Sequence, residues 1–444
     1  MEREDPERQR RRAILTERIH DARLTASQGE SVDRHGRFAI DPAAFAFPSG
    51  AAPALNGMGA EALPETAVLL CDWIARGVHP GAQLYVSRDG RTIASLAIGW
   101  ARADAAYTPR TMNSWLCCVK PLLAIAFGQL WERGRIVPDL PIAAVIPEFG
   151  GGGKEVITFR QLLSHSASLR PDPLIRSFYE PREAQLEILG RTKLAPDARP
   201  GWEAYYSHAW AWFVLAEALE RIDGRRFEDY LAAEVLGPTG AELKASLSTE
   251  EFAALWPRFS LTYDMRETPP VFSRVNSDPN YFSFRAPGMI GVGSCEAMGR
   301  VYEALLVAQA GRAESPILMS PTVDALTKRE RVGAFDVHYD GYASWGLGFM
   351  VEPRLFGNAC SPRTFGHVGG LGLVAFADPA SGLVVSFVMN GMIDKKESDE
   401  RDRALADAVY RDLNLDQRGA SPRIVAVEPD RAPTWARLAE SEGA

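Results

Sequence analysis

Cys117-Cys118-Val119-Lys120 opens an apolar run, Pro121 to Phe127, and sets a thiol and an amine three positions apart. Leu122, Leu123, Ile125, Ala126, Phe127, Leu130 and Trp131 recur at helical spacing and predict a helix ending near Gly134. Cys117 then sits at or beside the helix N-terminus, with Lys120 one turn further along the same face. A helix N-terminus and a nearby ammonium both lower a thiol pKa. A lysine of depressed pKa can instead act as the base that activates a nucleophile. Either arrangement suits covalent acyl transfer. Successive helical residues point about 100° apart, so only one of the two cysteines can face Lys120.

Two other segments carry polar groups in patterned surroundings. One is Pro200-Gly201-Trp202-Glu203-Ala204-Tyr205-Tyr206-Ser207-His208, ahead of a helical run from Ala209 to Ile222 and Asp223-Gly224. The other is Phe365-Gly366-His367-Val368-Gly369-Gly370-Leu371-Gly372, followed by Phe376-Ala377-Asp378-Pro379. In this order the three segments resemble the motifs of the serine β-lactamase and penicillin-binding-protein superfamily. Cys117 to Lys120 looks like Ser-x-x-Lys with cysteine in place of serine, and that register selects Cys117. Pro200 to His208 looks like the "PG…YSN" segment, with Tyr206 as general base or acid and His208 where the family has asparagine. His367 to Gly369 looks like the third motif, Lys-Thr-Gly in β-lactamases and His-x-Gly in many esterases.

The resemblance extends further. Phe159 to Ser166 looks like the "LLtHtSG" segment; Val275-Asn276-Ser277 and Ala286 to Ser294 look like the stretch before a late helix, here Glu296 to Ala308. Trp345 to Phe349 and Val384 to Asn390 look like the strands on either side of the third motif. It covers roughly residues 60–415 and is nearest to family VIII carboxylesterases and class C β-lactamase-like acyltransferases. It implies an α/β fold of the β-lactamase/transpeptidase type: an antiparallel sheet flanked by helices, with an inserted all-helical region.

The elements that must position these residues follow from pattern. Residues 1–28 read as a charged helix and residues 29–60 as an irregular arm, so 1–60 stand apart from a catalytic domain over 61–415. Glu65 to Arg76 is helical by pattern. Gln83–Ser87 and Thr92–Ala97 flank Arg88-Asp89-Gly90-Arg91, a hairpin turn. A helical region runs over about 120–320, and strands return near 344–352, 364–368, 372–377 and 383–389. The sheet, from about 80–100 and 344–390, thus joins both ends of the domain. Residues 416–444, with Pro422, Pro429 and Pro433, form a tail.

Composition limits the partners. The 444 residues are 46% hydrophobic and 24% charged, enough for a large core, and the net charge of −8 disfavours nucleic acid or an anionic membrane. The charged stretch Met1 to His20 lacks the apolar segment of a secretory signal, and no run is long enough to span a membrane. Cys71, Cys117, Cys118, Cys295 and Cys360 are odd in number and spaced for neither disulfides nor zinc, which points to a reducing cytoplasm. Gly150–Lys154 is no phosphate-binding loop, because Glu155 stands where Ser or Thr would hold magnesium; a flexible loop is expected. His165 reads as a turn anchor, and His20, His35, His79 and His338 lack ligand spacing.

The resemblance implies that Cys117 attacks an acyl carbonyl while Lys120 and Tyr206 move protons. It also implies an oxyanion hole from the backbone N–H groups of Cys117 and Gly370, with His367 facing the same cleft. His208, Gly369, Trp115, Trp202 and Trp345 are candidates for contacting substrate. Because a thiolate exchanges readily with thioesters, the expected activity is acyl transfer from a small-molecule donor, possibly a coenzyme A or carrier-protein thioester, to a small acceptor. Hydrolysis of an ester or amide is the alternative, and a non-catalytic ligand-binding role is a third. No cofactor and no metal is implied.

Overall fold

The computed structural model describes residues 45–170, 172, 180–273, 282, 285–311, 316–336, 338–339, 341–370 and 372–416. The charged helix expected over 1–28, the Val275-Asn276-Ser277 match and nearly all of the 416–444 tail lie outside the described residues.

An antiparallel sheet is built from both ends of the chain. Its strands are β1 (Asn56–Met58), β2 (Gly81–Arg88), β3 (Arg91–Arg102), β4 (Phe365–Gly369), β5 (Leu373–Asp378) and β6 (Leu383–Met389). The order is β1-β3-β2-β6-β5-β4, with Ala105–Ala106 pairing onto β3. β2 and β3 meet at Asp89 and Gly90, whose φ values of 49° and 75° are those of a primed hairpin turn. The chain ends join where β6 pairs with β2, Val385 opposite Val86.

Both sheet faces are buried, because alternate residues of every inner strand are apolar in both directions. Leu84, Val86, Val385 and Phe387 pack against two helices, α1 (Pro64–Ala75) and α5 (Lys395–Asp412). Tyr85, Ala375, Val384 and Val388 join a core with Met298, Val301 and Leu305 of α4 (Cys295–Ala310). α4 lies so close that a Cβ on Gly299 would stand 2.4 Å from the Tyr85 ring. The helical region between the two parts of the sheet centres on α2 (Lys120–Glu132) and α3 (Trp210–Asp223), which pack on each other and on the same core.

The strand expected over 344–352 is absent as a continuous element. Gly348 takes φ 81° and the Gly346 N–H bonds to the Phe349 carbonyl, so the chain doubles back. Only isolated bridges remain there, Trp345 to Arg331 and Met350 to Gly366 among them. Among the described residues no helix is long and apolar enough to cross a membrane.

Candidate active site

A single 3₁₀ turn, Leu116–Val119, leads into α2 at Lys120. Leu116 takes φ 44°, left-handed backbone that costs a side-chain-bearing residue about 1–2 kcal/mol. This turn separates the two cysteines. Cys118 is buried, and its thiol donates toward the carbonyls of His367 at 3.4 Å and Leu373 at 3.5 Å. Cys117 is partly exposed, and its sulfur lies near enough to the Lys120 amine and the Tyr206 hydroxyl to influence the titration of both.

Lys120 is fully buried at the first turn of α2. Its Nζ donates to the carbonyls of Gly288 at 2.6 Å and His208 at 3.2 Å, and it lies 5.5 Å over the Tyr206 ring. Burial pulls its pKa down, and the Cys117 thiol opposes that shift. Gly288 can present its carbonyl because it has no side chain. Its φ is 74°, and a Cβ there would stand 2.6 Å from Trp212 Cγ. Tyr206 is buried just ahead of α3. Burial first, and the Cys117 sulfur second, push its hydroxyl pKa well up, so the group stays protonated.

β4, at the sheet edge, supplies the opposite wall. His367 is buried, and its Nδ1–H donates to the Val368 carbonyl at 2.7 Å. Burial, then the charge of Lys120, lowers its pKa to about 3, which leaves a neutral ring. The end of β4 runs along the turn that carries the thiol. A Cβ on Gly369 would stand 3.2 Å from the Trp115 carbonyl oxygen, and one on Gly370 3.8 Å from Leu116 Cδ1. His208 is half-buried, with its ring 4.8 Å from Tyr206 and 4.4 Å from His338. Burial, then Lys120, lowers its pKa to about 4.

The tryptophans do not line an open pocket. Trp115 is fully buried and donates its indole N–H to the Gly293 carbonyl at 2.9 Å, leaving no surface for a substrate. Trp345 is also fully buried. It packs behind the site, 5.5 Å from both the Tyr206 and His367 rings and 4.5 Å from His165. Trp202 is 54% exposed on the outer surface. Large indoles gain most from full burial, so they build the core under the site.

Several contributors carry no motif in the sequence. Arg331, Asp336 and His338 all reach the site through backbone contacts, and His338 lies 132 positions from the Tyr206 carbonyl it touches. His165 does anchor a turn, with φ 55°, and its Nδ1 accepts from the Ser207 N–H at 3.1 Å. The Gly150–Lys154 loop is tied down by Lys154, which is buried and donates to the Thr192 carbonyl. Among the described residues no group of three or more His, Cys, Asp or Glu side chains could hold a metal ion.

The Beta-lactamase family profile matches residues 70–410. The chain belongs to the β-lactamase family. The fold places the Cys117–Lys120 turn, Tyr206 and the His367 strand beside one another. Among curated proteins, Esterase/beta-lactamase LipL of Mycobacterium tuberculosis is 26% identical over 348 residues, 70% of this chain and 77% of that protein. Esterase EstB of Burkholderia gladioli is 26% identical over 407 residues, 84% of this chain and 98% of that protein. Among solved structures, a family VIII carboxylesterase matches with a TM-score of 0.69 at 23% identity, covering 81% of this chain and 100% of that one.

Proposed function

We propose that this β-lactamase-family enzyme is an acyltransferase that works through a thioester on Cys117. The observation that carries the reading is a partly exposed Cys117 one turn before the buried Lys120, whose amine lies 5.5 Å over the ring of the buried Tyr206. Lys120, its pKa lowered by burial, takes the thiol proton as sulfur attacks the acyl carbonyl. Tyr206, held protonated, delivers a proton to the leaving group as its bond to the acyl carbon breaks. The N–H groups of Cys117 and Gly370 receive the developing oxyanion; losing one such donor typically costs about 10²–10³ in rate. An acceptor amine or alcohol then attacks the thioester and passes its proton to the Tyr206 phenolate, while the carbon–sulfur bond breaks and Lys120 returns its proton to the Cys117 sulfur.

The neutral His367 leaves the third motif without a positive charge, which favours a neutral acyl ester or thioester over an anionic substrate. Among the described residues no two cysteines form a disulfide, which supports a reducing cytoplasm, where coenzyme A and carrier-protein thioesters are available as donors. Hydrolysis is the second reading, favoured by the relatives named as esterases. Intact-protein mass spectrometry after incubation with activated esters and thioesters tests the intermediate: the acyl mass appears on the unmodified protein and is lost in Cys117→Ala. Product analysis with and without acceptors separates transfer from hydrolysis. Free acid released at one rate whatever the acceptor would establish hydrolysis instead.

A further inference from the structure

We propose that the hairpin formed by Phe335–Asp336 and Gly341–Tyr342 is a clamp that sets the Tyr206 hydroxyl against Cys117, with Asp336 and His338 as its positioning residues. The inference rests on the role proposed above for Tyr206 as proton carrier.

Tyr206 belongs to no strand, so no ladder satisfies its backbone. Its two main-chain groups are instead both taken by the hairpin. The Tyr206 N–H donates to Asp336 Oδ1 at 2.9 Å, and the Tyr206 carbonyl accepts from His338 Nδ1 at 2.5 Å. A carbonyl can only accept, so Nδ1 carries the proton of the His338 ring. Burial holds that ring neutral, with its pKa lowered to about 4. The ring is stacked on Tyr205 at 5.0 Å and meets His208 edge-on at 4.4 Å.

Asp336 is fully buried and collects more donors than a simple ion pair needs. Its Oδ1 also accepts the N–H groups of His338 at 3.1 Å and Tyr339 at 3.0 Å, while Oδ2 pairs with Arg331 Nη1 at 2.9 Å. One carboxylate therefore fixes the shape of the hairpin and its grip on Tyr206 together. The same Arg331 nitrogen donates to the His165 carbonyl at 2.8 Å, and His165 Nδ1 holds the N–H of Ser207. Tyr206 and its neighbour are thus gripped from two sides, and both grips converge on Arg331. A buried ion pair is weak evidence of stabilisation in itself. Its arrangement around one side chain of the proposed chemistry is what points to positioning, since a shift of about 1 Å at a proton donor can cost 10²-fold in rate.

His338 separates this role from a purely structural one, because its ring can be replaced in two ways. His338→Asn keeps an N–H donor near the Nδ1 position and removes the rest of the ring. His338→Phe keeps an aromatic ring between Tyr205 and His208 and removes the donor. Acylation by a p-nitrophenyl ester is followed as burst kinetics and mass gain on Cys117, alongside Tyr206→Phe and the Tyr206→Phe/His338→Phe pair. His338→Phe should slow acylation about tenfold with KM within about twofold, and His338→Asn should stay within about threefold of the unmodified protein. In the Tyr206→Phe background, His338→Phe should add less than about twofold, because it acts through the hydroxyl already removed. Equal loss in the two His338 variants, or additive losses in the pair, would overturn the clamp. If the unmodified protein acquires no label at Cys117, the role assigned to Tyr206 fails and the clamp fails with it.

Discussion

Two adjacent cysteines have opposite fates because one tight turn points them apart. Cys118 is sunk between the 3₁₀ turn and β4 and β5, and burial, with the neighbouring Cys117 sulfur second, pushes its thiol pKa well up. Cys118→Ala should therefore keep turnover and covalent labelling while losing about 1–2 kcal/mol of stability in urea titration. Cys117→Ala should abolish both turnover and labelling; a dead Cys118→Ala with an active Cys117→Ala would reverse the assignment. Cys117→Ser restores the residue of the family motif, yet the shorter side chain stands back from the carbonyl that Lys120 and Tyr206 are placed to serve. Its acylation rate should fall by about 10²-fold in stopped-flow measurements. A serine variant as fast as the unmodified protein would show that the cleft is not built around sulfur. In the proposed mechanism Lys120 and Tyr206 divide the proton work because burial acts in opposite directions on them. It favours the neutral amine of one and the neutral phenol of the other, which makes the first a base and the second an acid.

At the scale of elements, the site is a meeting of backbones. α2 carries Lys120 on its first turn, and the amine is pinned by carbonyls from two other segments, at Gly288 and His208. Gly288→Ala would force a Cβ into Trp212 from left-handed backbone and withdraw one of those carbonyls. The variant should lose about 1–3 kcal/mol of stability and at least about tenfold in the acylation rate, with substrate binding less affected. A variant with unchanged kinetics would mean that the Gly288 carbonyl does not set the position of Lys120. β4 contributes through its edge position: its outer side carries the bridge of Gly366 to Met350 but no further strand of the sheet, and its end runs beside the thiol turn.

Over the whole molecule, the five described histidines share one electrostatic condition. Burial is the largest cause in each case, with His79 and His367 lowered to about 3, His208 and His338 to about 4, and His165 well below its ordinary value. In the unfolded chain the same rings take up protons near pH 6.5. Between those limits the unfolded state binds more protons, so stability is fully present above about pH 6.5 and is lost as pH falls toward 4. Each ring adds up to about 1.4 kcal/mol per pH unit to that slope. Urea midpoints should therefore drop markedly from pH 7.5 to pH 5, and His338→Asn should flatten the dependence. Midpoints that do not move over that range would contradict the neutral state of these rings.

Most of the sheet, the hairpin at Asp89-Gly90 and the principal helices were legible from sequence, and so were Cys117, Lys120, Tyr206 and His367 as candidate residues. Each is specified locally, by apolar period, turn chemistry or a short motif whose members lie within a few positions of one another. Three things were decided only in three dimensions. The packing of β4 and β5 against the 3₁₀ turn buried the Cys118 thiol and left Cys117 partly exposed. Trp115 and Trp345 went into the core because their area is worth more there, although they flank the motifs in the chain. Arg331, Asp336 and His338 entered the site through bonds to main-chain groups, which every residue carries and no residue type announces. Local patterning therefore determined which elements form and which side chains could do chemistry. Only their packing decided which distant backbones would hold those side chains in place, because contacts between segments more than a hundred positions apart leave no periodic trace in the chain.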